Sequence, residues 1–298
     1  MTTKARNMLF QTINYLILTL FMFICVYPFY RMLLYTISDP TLAASRGVYF
    51  VPVGLTFSNY AKITKLENIS SAAVTSTLRT LFGTITTVLC SALFGYLLTN
   101  ERLRFRKAIY RYTVVTMYFN AGLIPWYLTM VFLGLRNNFL LYILPHAVTP
   151  FYVVLTKTYM EQIPTSMEES AKIDGAGTFA IFFKIIAPIS LPIIATIAVF
   201  SAVSQWNTWM DNLLLVNKKG LQTLQLVLLR YLREADALAR AIERGATTMD
   251  LAESQAYRLT PTSVRMTITM VVTIPIVLVY PFMQRFFVKG IMLGAIKA

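Results

Sequence analysis

The chain has 298 residues, of which 56% are hydrophobic and 13% charged, with a mean hydropathy of +0.60 and a formal net charge of +14. A soluble domain carries roughly twice that charged fraction, so the composition excludes an ordinary soluble enzyme or binding module. The positive charge sits mostly at the ends of apolar runs, where it sets membrane topology, and so points away from a nucleic-acid partner.

The first apolar run covers residues 8–30, behind Lys4 and Arg6. It is too long for a signal peptide and lacks a small-residue cleavage site, so it reads as an uncleaved membrane helix. Residues 38–74 then form an outside loop containing Pro40, Pro52 and Gly54. Its VPVGLTFSNYAKI stretch predicts a short extended piece followed by an interfacial helix, with Phe57 and Tyr60 anchoring it at headgroup level.

Runs two and three cover 80–99 and 112–135, and the link between them crowds together Arg102, Arg104, Arg106, Lys107 and Arg111. The link from run three to run four, 139–156, carries only Arg136. That asymmetry places the basic link in the cytoplasm. His146 beside Pro145 is expected near a helix middle, hydrogen-bonded to a neighbouring helix. Cys25 and Cys90 have no spacing suited to a metal or a disulfide.

Between runs four and five lies PTSMEESAKIDGAGTFAIFFKIIAPISLP, residues 164–192. Thr165 and Ser166 each precede a glutamate by three residues, Glu168 and Glu169, which is the capping-box pattern. Met167 and Ala171 share a helix face. Asp174-Gly175 closes the helix, because glycine accepts the left-handed conformation beyond the last turn. Ala176 and Gly177 permit close backbone approach. Pro188 and Pro192 mark the return to the bilayer. A connection needs only a handful of residues, so this capped helix reads as a docking element for another protein.

Run five covers 185–210 and run six 266–283. Each of the six approaches the length of about 20 residues that a bilayer core requires, and the alternating strands of a membrane barrel are absent. The chain therefore reads as one all-α integral membrane domain over 1–298, with six transmembrane helices. Arg285, Lys289 and Lys297 place the carboxyl terminus, like the amino terminus, in the cytoplasm. Residues 211–263 form the second large outside loop, since a long loop escapes the charge rule. Leu221, Leu224, Val227, Leu228 and Tyr231 recur in it at helical spacing. The Ala-rich stretch near 232–256 favours helix and reads as a cover or a platform for a soluble partner.

The chain contains no G-x-x-x-x-G-K-[ST] loop, so any phosphate-cradling groups must come from another polypeptide. It also lacks an H-E-x-x-H pair or clustered carboxylates, and no catalytic residue is expected. An ion-coupled secondary transporter of small solutes is the alternative reading. It would call for intramembrane carboxylates, which the apolar runs scarcely offer.

The fourth link resembles the EAA loop of bacterial ABC importer permeases. The matching positions are Glu169, Ser170 and Ala171, then Asp174, Gly175 and Ala176, then Ile185 and Pro188, with Ser170 in place of an alanine. FNAGLIP (119–125), WNTWMDNLL (206–214) and YPFMQRFFVKGIMLGAIKA (280–298) are similar to the smaller permease of the carbohydrate uptake class. The subgroup they resemble imports alginate or plant-polysaccharide oligosaccharides. The resemblance implies an ABC importer permease fold in the inner membrane of a bacterium, with a cytoplasmic coupling loop at about 159–190. It implies four kinds of partner: a second homologous permease, two ATP-binding subunits, an extracytoplasmic sugar-binding protein and membrane lipids. ATP and Mg would be bound by the ATPase subunits and not by this chain. In the coupling role it places Glu168, Glu169, Ser170, Ala171, Asp174, Gly175, Ala176 and Pro188. Glu169 would make the polar contact, and Ala171 and Ala176 the close packing. The tail from Val288 to Ala298 would form a second contact with the ATPase. A sugar path calls for stacking rings and amides, and Asn120, Tyr118, Trp206, Asn207, Trp209 and Asn212 are the candidates.

Overall fold

The computed structural model describes residues 3–64, 68–243 and 261–295. Among these the regular structure is helical, apart from one isolated antiparallel bridge between Ser38 and Leu55. The chain divides into two compact units, Met1–Ile69 with Leu228–Ile274, and Ser70–Val227 with Pro275–Ala298.

In the first unit, helix α1 (Thr3–Thr36) exposes most of its apolar span, from Asn7 to Tyr30, as a lipid-facing helix does, and buries only its last turn. The chain then turns through Asp39, whose carboxylate accepts from the amides of Thr41 (2.9 Å) and Leu42 (3.1 Å) and so caps α2 (Pro40–Arg46). Buried Asn59, in α3 (Ser58–Thr64), donates to the carbonyls of Thr36 and Ser38 at 3.0 and 2.8 Å. These bonds pin the loop onto the end of α1, where Leu34, Tyr35, Ala43 and Val48 make a small core. Of the two expected headgroup anchors, Phe57 is exposed. Tyr60 is not one, because its hydroxyl is hydrogen-bonded to Thr36 at 2.9 Å inside the loop.

The second unit is organised around α4 (Ile69–Leu97). Two of its glycines mark close helix crossings. A Cβ at Gly95 would lie 2.2 Å from Thr156 Oγ1, and one at Gly83 would lie 2.6 Å from the Gln205 amide nitrogen. Small residues at such points let membrane helices approach backbone to backbone. Ser91 adds a hydrogen bond, its hydroxyl oxygen accepting from the amide of Thr149 (3.1 Å).

Runs three, four and five are not single straight helices. Run three divides into α5 (Arg106–Tyr118) and α6 (Leu123–Phe132), which meet at 119°. The break is local chemistry: Asn120 Oδ1 accepts from the Gly122 amide at 2.9 Å, and Gly122 takes φ +89°. Run four is two short 3-10 turns, Phe139–Tyr142 and Leu144–His146, followed by α7 (Pro150–Met160) at 46°. His146 thus stands at a break and not in a helix middle, and its backbone carbonyl accepts from Thr87 at 2.7 Å.

After α8 (Ser166–Ile173), the chain forms α9 (Thr178–Ile181), a π turn (Phe182–Ile186) and α10 (Ala187–Ile189). It then bends 86° into α11 (Leu191–Asn207). Pro188 and Pro192 lack the amide hydrogens that would carry a straight helix through this bend. Among the described residues two helices are long and apolar enough to cross a bilayer alone, or five if each bent pair is one crossing. The sixth expected run lies in α14 (Pro261–Ala295), a helix of 35 residues. Between α11 and α14 come α12 (Met210–Leu215) and α13 (Leu224–Glu243). Of the predicted stripe, Leu224 and Val227 are buried at the start of α13, while Leu221, Leu228 and Tyr231 are half-buried. Residues 244–256 of the Ala-rich stretch, and Ile296, Lys297 and Ala298 of the tail, lie outside the described residues.

Candidate functional site

Helix α8 ends as the Asp-Gly pair dictates. Gly175 takes φ +80° and donates to the Lys172 carbonyl at 3.1 Å, while Ala176 donates to Ala171 at 2.9 Å. This pair of bonds is the Schellman arrangement, and it satisfies carbonyls that the last turn would otherwise leave open. The helix start differs from expectation. Thr165 already has helical dihedrals (φ −62°, ψ −26°) and makes no side-chain cap. No capping box forms, since a cap needs an extended residue to aim its oxygen at the first amides.

The turn is seated on its own bundle. Ala171 is buried in a core with Ala92 and Tyr96 of α4, Tyr152 and Met160 of α7, Ile181, Phe182 and Ile186, and Ala176 packs against the same core. Glu168 also stays within the chain, paired with Lys172 at 2.9 Å and facing Tyr96. Ala171 and Ala176 therefore pack inward, onto this chain. The outward stripe holds Ser166, Glu169, Ser170 and Ile173, at helical spacing and all exposed. Ile173 is 86% exposed, an apolar side chain on an otherwise polar face, and sequence reading passed over it. Its signal was an isoleucine four residues after Glu169, just before the stop. Asp174, Gly175 and Pro188 are exposed as well. Open space surrounds Gly175, so its conformation, not crowding, demands glycine there.

The amino-terminal half of α4 carries, at Arg79, a polar knot that sequence reading did not anticipate. Arg79 and Asp211 are 1% and 3% exposed and paired through two hydrogen bonds, 2.6 and 3.1 Å. Arg79 also donates to Gln205 Oε1 and to the Thr208 carbonyl, each at 3.1 Å. The Tyr142 ring lies against its guanidinium, 4.6 Å from the centroid. Asn212, fully buried, donates to the Tyr142 hydroxyl and to the Leu221 carbonyl (3.0 Å). Segments 79, 142, 205–212 and 221 are thereby tied together. A buried pair of this kind holds only when its remaining hydrogen bonds are met.

The six sugar-path candidates are not brought to one site. Tyr118 and Asn120 are exposed at the 119° break, with the Asn120 carbonyl engaged by Gly122. Trp206 lines an apolar cavity of about 400 Å³ with Thr77, Leu81, Val203, Pro275 and Ile276. Asn207 is exposed and accepts from Gln225 at 3.1 Å. Trp209 is half-buried before α12, and Asn212 is shut inside the knot. Among the described residues no three His, Cys, Asp or Glu side chains are gathered as a metal site.

Residues 88–293 match the family model described as binding-protein-dependent transport system inner membrane component. The chain is 35% identical over 293 residues to the polygalacturonan/rhamnogalacturonan transport system permease protein YtcP of Bacillus subtilis, covering 98% of this chain and 99% of that one. It is 28% identical to the lactose transport system permease protein LacG of Rhizobium radiobacter, across the full length of both. Among solved structures it resembles a chain of a bacterial ABC transporter involved in the import of the acidic polysaccharide alginate. That likeness has a TM-score of 0.83 at 26% identity, over 96% of this chain and 99% of the other.

Proposed function

The chain belongs to the binding-protein-dependent transport system inner membrane components, and from that membership we propose that it is the permease subunit of an ABC importer for oligosaccharides or polysaccharide fragments. Acidic fragments are the favoured cargo, because the polygalacturonan/rhamnogalacturonan and alginate systems both carry acidic polymers. On this reading the chain is one permease domain with six crossings in a bacterial inner membrane, and both termini are cytoplasmic. It forms half of a path completed by a second homologous permease. Two ATPase subunits bind ATP and Mg, and an extracytoplasmic sugar-binding protein delivers cargo.

The observation that carries the coupling role is the α8 turn. It is stopped by Gly175 at φ +80°, seated on the bundle by Ala171, and presents Glu169, Ser170 and Ile173 outward. A small rigid knob of this kind suits a cleft in a soluble partner. Glu169 supplies the polar contact and Ile173 the apolar one. Gly175, Asp174 and Ala176 fix the turn, Glu168 and Ala171 hold the knob to the bundle, and Pro188 redirects the chain. For the sugar path, the exposed Asn120 and Tyr118 remain suitable, together with Trp206, Asn207 and Trp209. Asn212 serves by holding the knot.

The test is recovery of the tagged chain from its host. An ATPase should copurify with it, and vanadate should stop uptake of labelled oligosaccharide. Uptake that continues without the ATPase would overturn the reading and favour an ion-coupled carrier.

A further inference from the structure

The link between α4 and α5 holds a cavity that the transport role does not use. It is open, about 610 Å³ in volume, and lined by Glu101, Leu103, Phe105, Arg106, Lys107 and Arg111. It lies at the same end of α4 as the α8 turn. Arg106 donates to the Thr99 carbonyl at 2.9 Å, just past Tyr96 of the core that buries Ala171. Arg106 is thus spoken for by Thr99 and, more loosely, by Glu101 at 3.9 Å. Lys107 and Arg111 are different. They stand four residues apart on one face of α5, exposed, with no protein partner among the described residues. Like charges at this spacing repel, and an anion between them would remove the cost.

Two further features point to the chemistry of that anion. Phe105 has φ +62° and ψ +19°, a left-handed conformation that a bulky residue adopts at a cost, and its ring is 69% exposed. Ala108, Tyr112 and Val115 then follow one another along a single exposed stripe of α5, which begins one residue after Phe105. An apolar stripe beside a pair of free cations matches an amphiphile with an anionic head. A soluble phosphate would have no use for the stripe.

We propose that this cavity binds an anionic phospholipid of the inner leaflet. Lys107 and Arg111 hold the headgroup phosphate, and Phe105 and Tyr112 lie along the acyl boundary. The proposal rests on the cytoplasmic placement of this link in the reading above. The test is made on the lipid itself, so the two can fail separately.

The full chain, with whatever subunits copurify, is placed in phosphatidylcholine nanodiscs doped with phosphatidylglycerol, and retained lipid is counted by native mass spectrometry. Lys107→Gln with Arg111→Gln should weaken phosphatidylglycerol retention by roughly thirtyfold, from two surface cations lost. The exchange Lys107→Arg with Arg111→Lys should restore it. Phe105→Gly suits the left-handed backbone, so it should lower retention without lowering the unfolding temperature. Inorganic phosphate in millimolar excess should displace nothing. Unchanged retention in the glutamine variant overturns the proposal, as does displacement by inorganic phosphate, which would mark a soluble-anion site. Loss of ATPase copurification with retention unchanged would make the patch a protein contact and overturn it equally. An impermeant label reaching Arg102→Cys from outside the cell would defeat the placement.

Discussion

Arg79 and Asp211 each stand one residue beyond an apolar run, yet both are almost completely buried. Removing one partner strands the other in a low-dielectric site, which costs about 3–5 kcal/mol. Asp211→Asn or Arg79→Gln should each lower the unfolding temperature of the purified chain. The double variant should lose much less than the two losses added together, because no charge is left alone. An additive result would mean that the two side chains act separately. Gly95→Val is predicted to cost about 1–3 kcal/mol by overpacking, since even its Cβ would meet Thr156 Oγ1 at 2.2 Å. Thermal unfolding in detergent checks it, with Gly177→Ala, in open space, as the control. Residue-scale legibility was uneven. Gly175 could be read because a positive φ after a helix is a local demand that only a few residue types meet. The Arg79–Asp211 pair could not, because it joins positions 132 residues apart, and nothing local to either marks the other.

Among the elements, α8 is short and held at both sides: by its glycine stop, and by Ala171 in the core beneath it. Gly175→Val is predicted to strain the turn by about 1–2 kcal/mol. The chain should remain in the membrane and assembled, while substrate no longer stimulates ATP hydrolysis. Stimulation at the parental level in the purified complex would remove the turn from the coupling path. Ile173→Asp should leave thermal stability unchanged, because the side chain is exposed, and should reduce recovery of the ATPase. The start of α8 shows the limit of a pattern: two Ser/Thr-x-x-Glu matches stand in the sequence, and neither forms a box. Glu168 bonds within the chain instead, to Lys172. The broken spans were half legible. Asn120-Ala121-Gly122 and Pro188 are breakers, but hydropathy averages across them and reports an unbroken run.

At the scale of the whole molecule, the helical class and family followed from the composition and the fourth link, whereas the site's wiring did not. Long apolar runs must be helical in a bilayer, because each backbone polar group has to bond within the segment. Which side chains meet is decided by how those runs pack, and one sequence carries little of that. The assembly reading predicts that growth on an acidic oligosaccharide is lost when this chain is deleted. An ATPase altered at its phosphate-loop lysine should fail to support growth in the same way, and uptake of the labelled sugar checks both. A last consequence comes from α4, 29 residues in one unbroken helix, or roughly 43 Å of rod. The ion-pair knot grips it through Arg79, a little over a third of the way along, and the core beneath α8 grips it near its far end through Ala92 and Tyr96. Whatever free energy this rod passes between the two grips must be the same in both directions. If occupancy at the α8 end loosens the knot by some factor, loosening the knot must change affinity at α8 by that same factor. A fluorophore reporting on either grip would then serve as a gauge of the other.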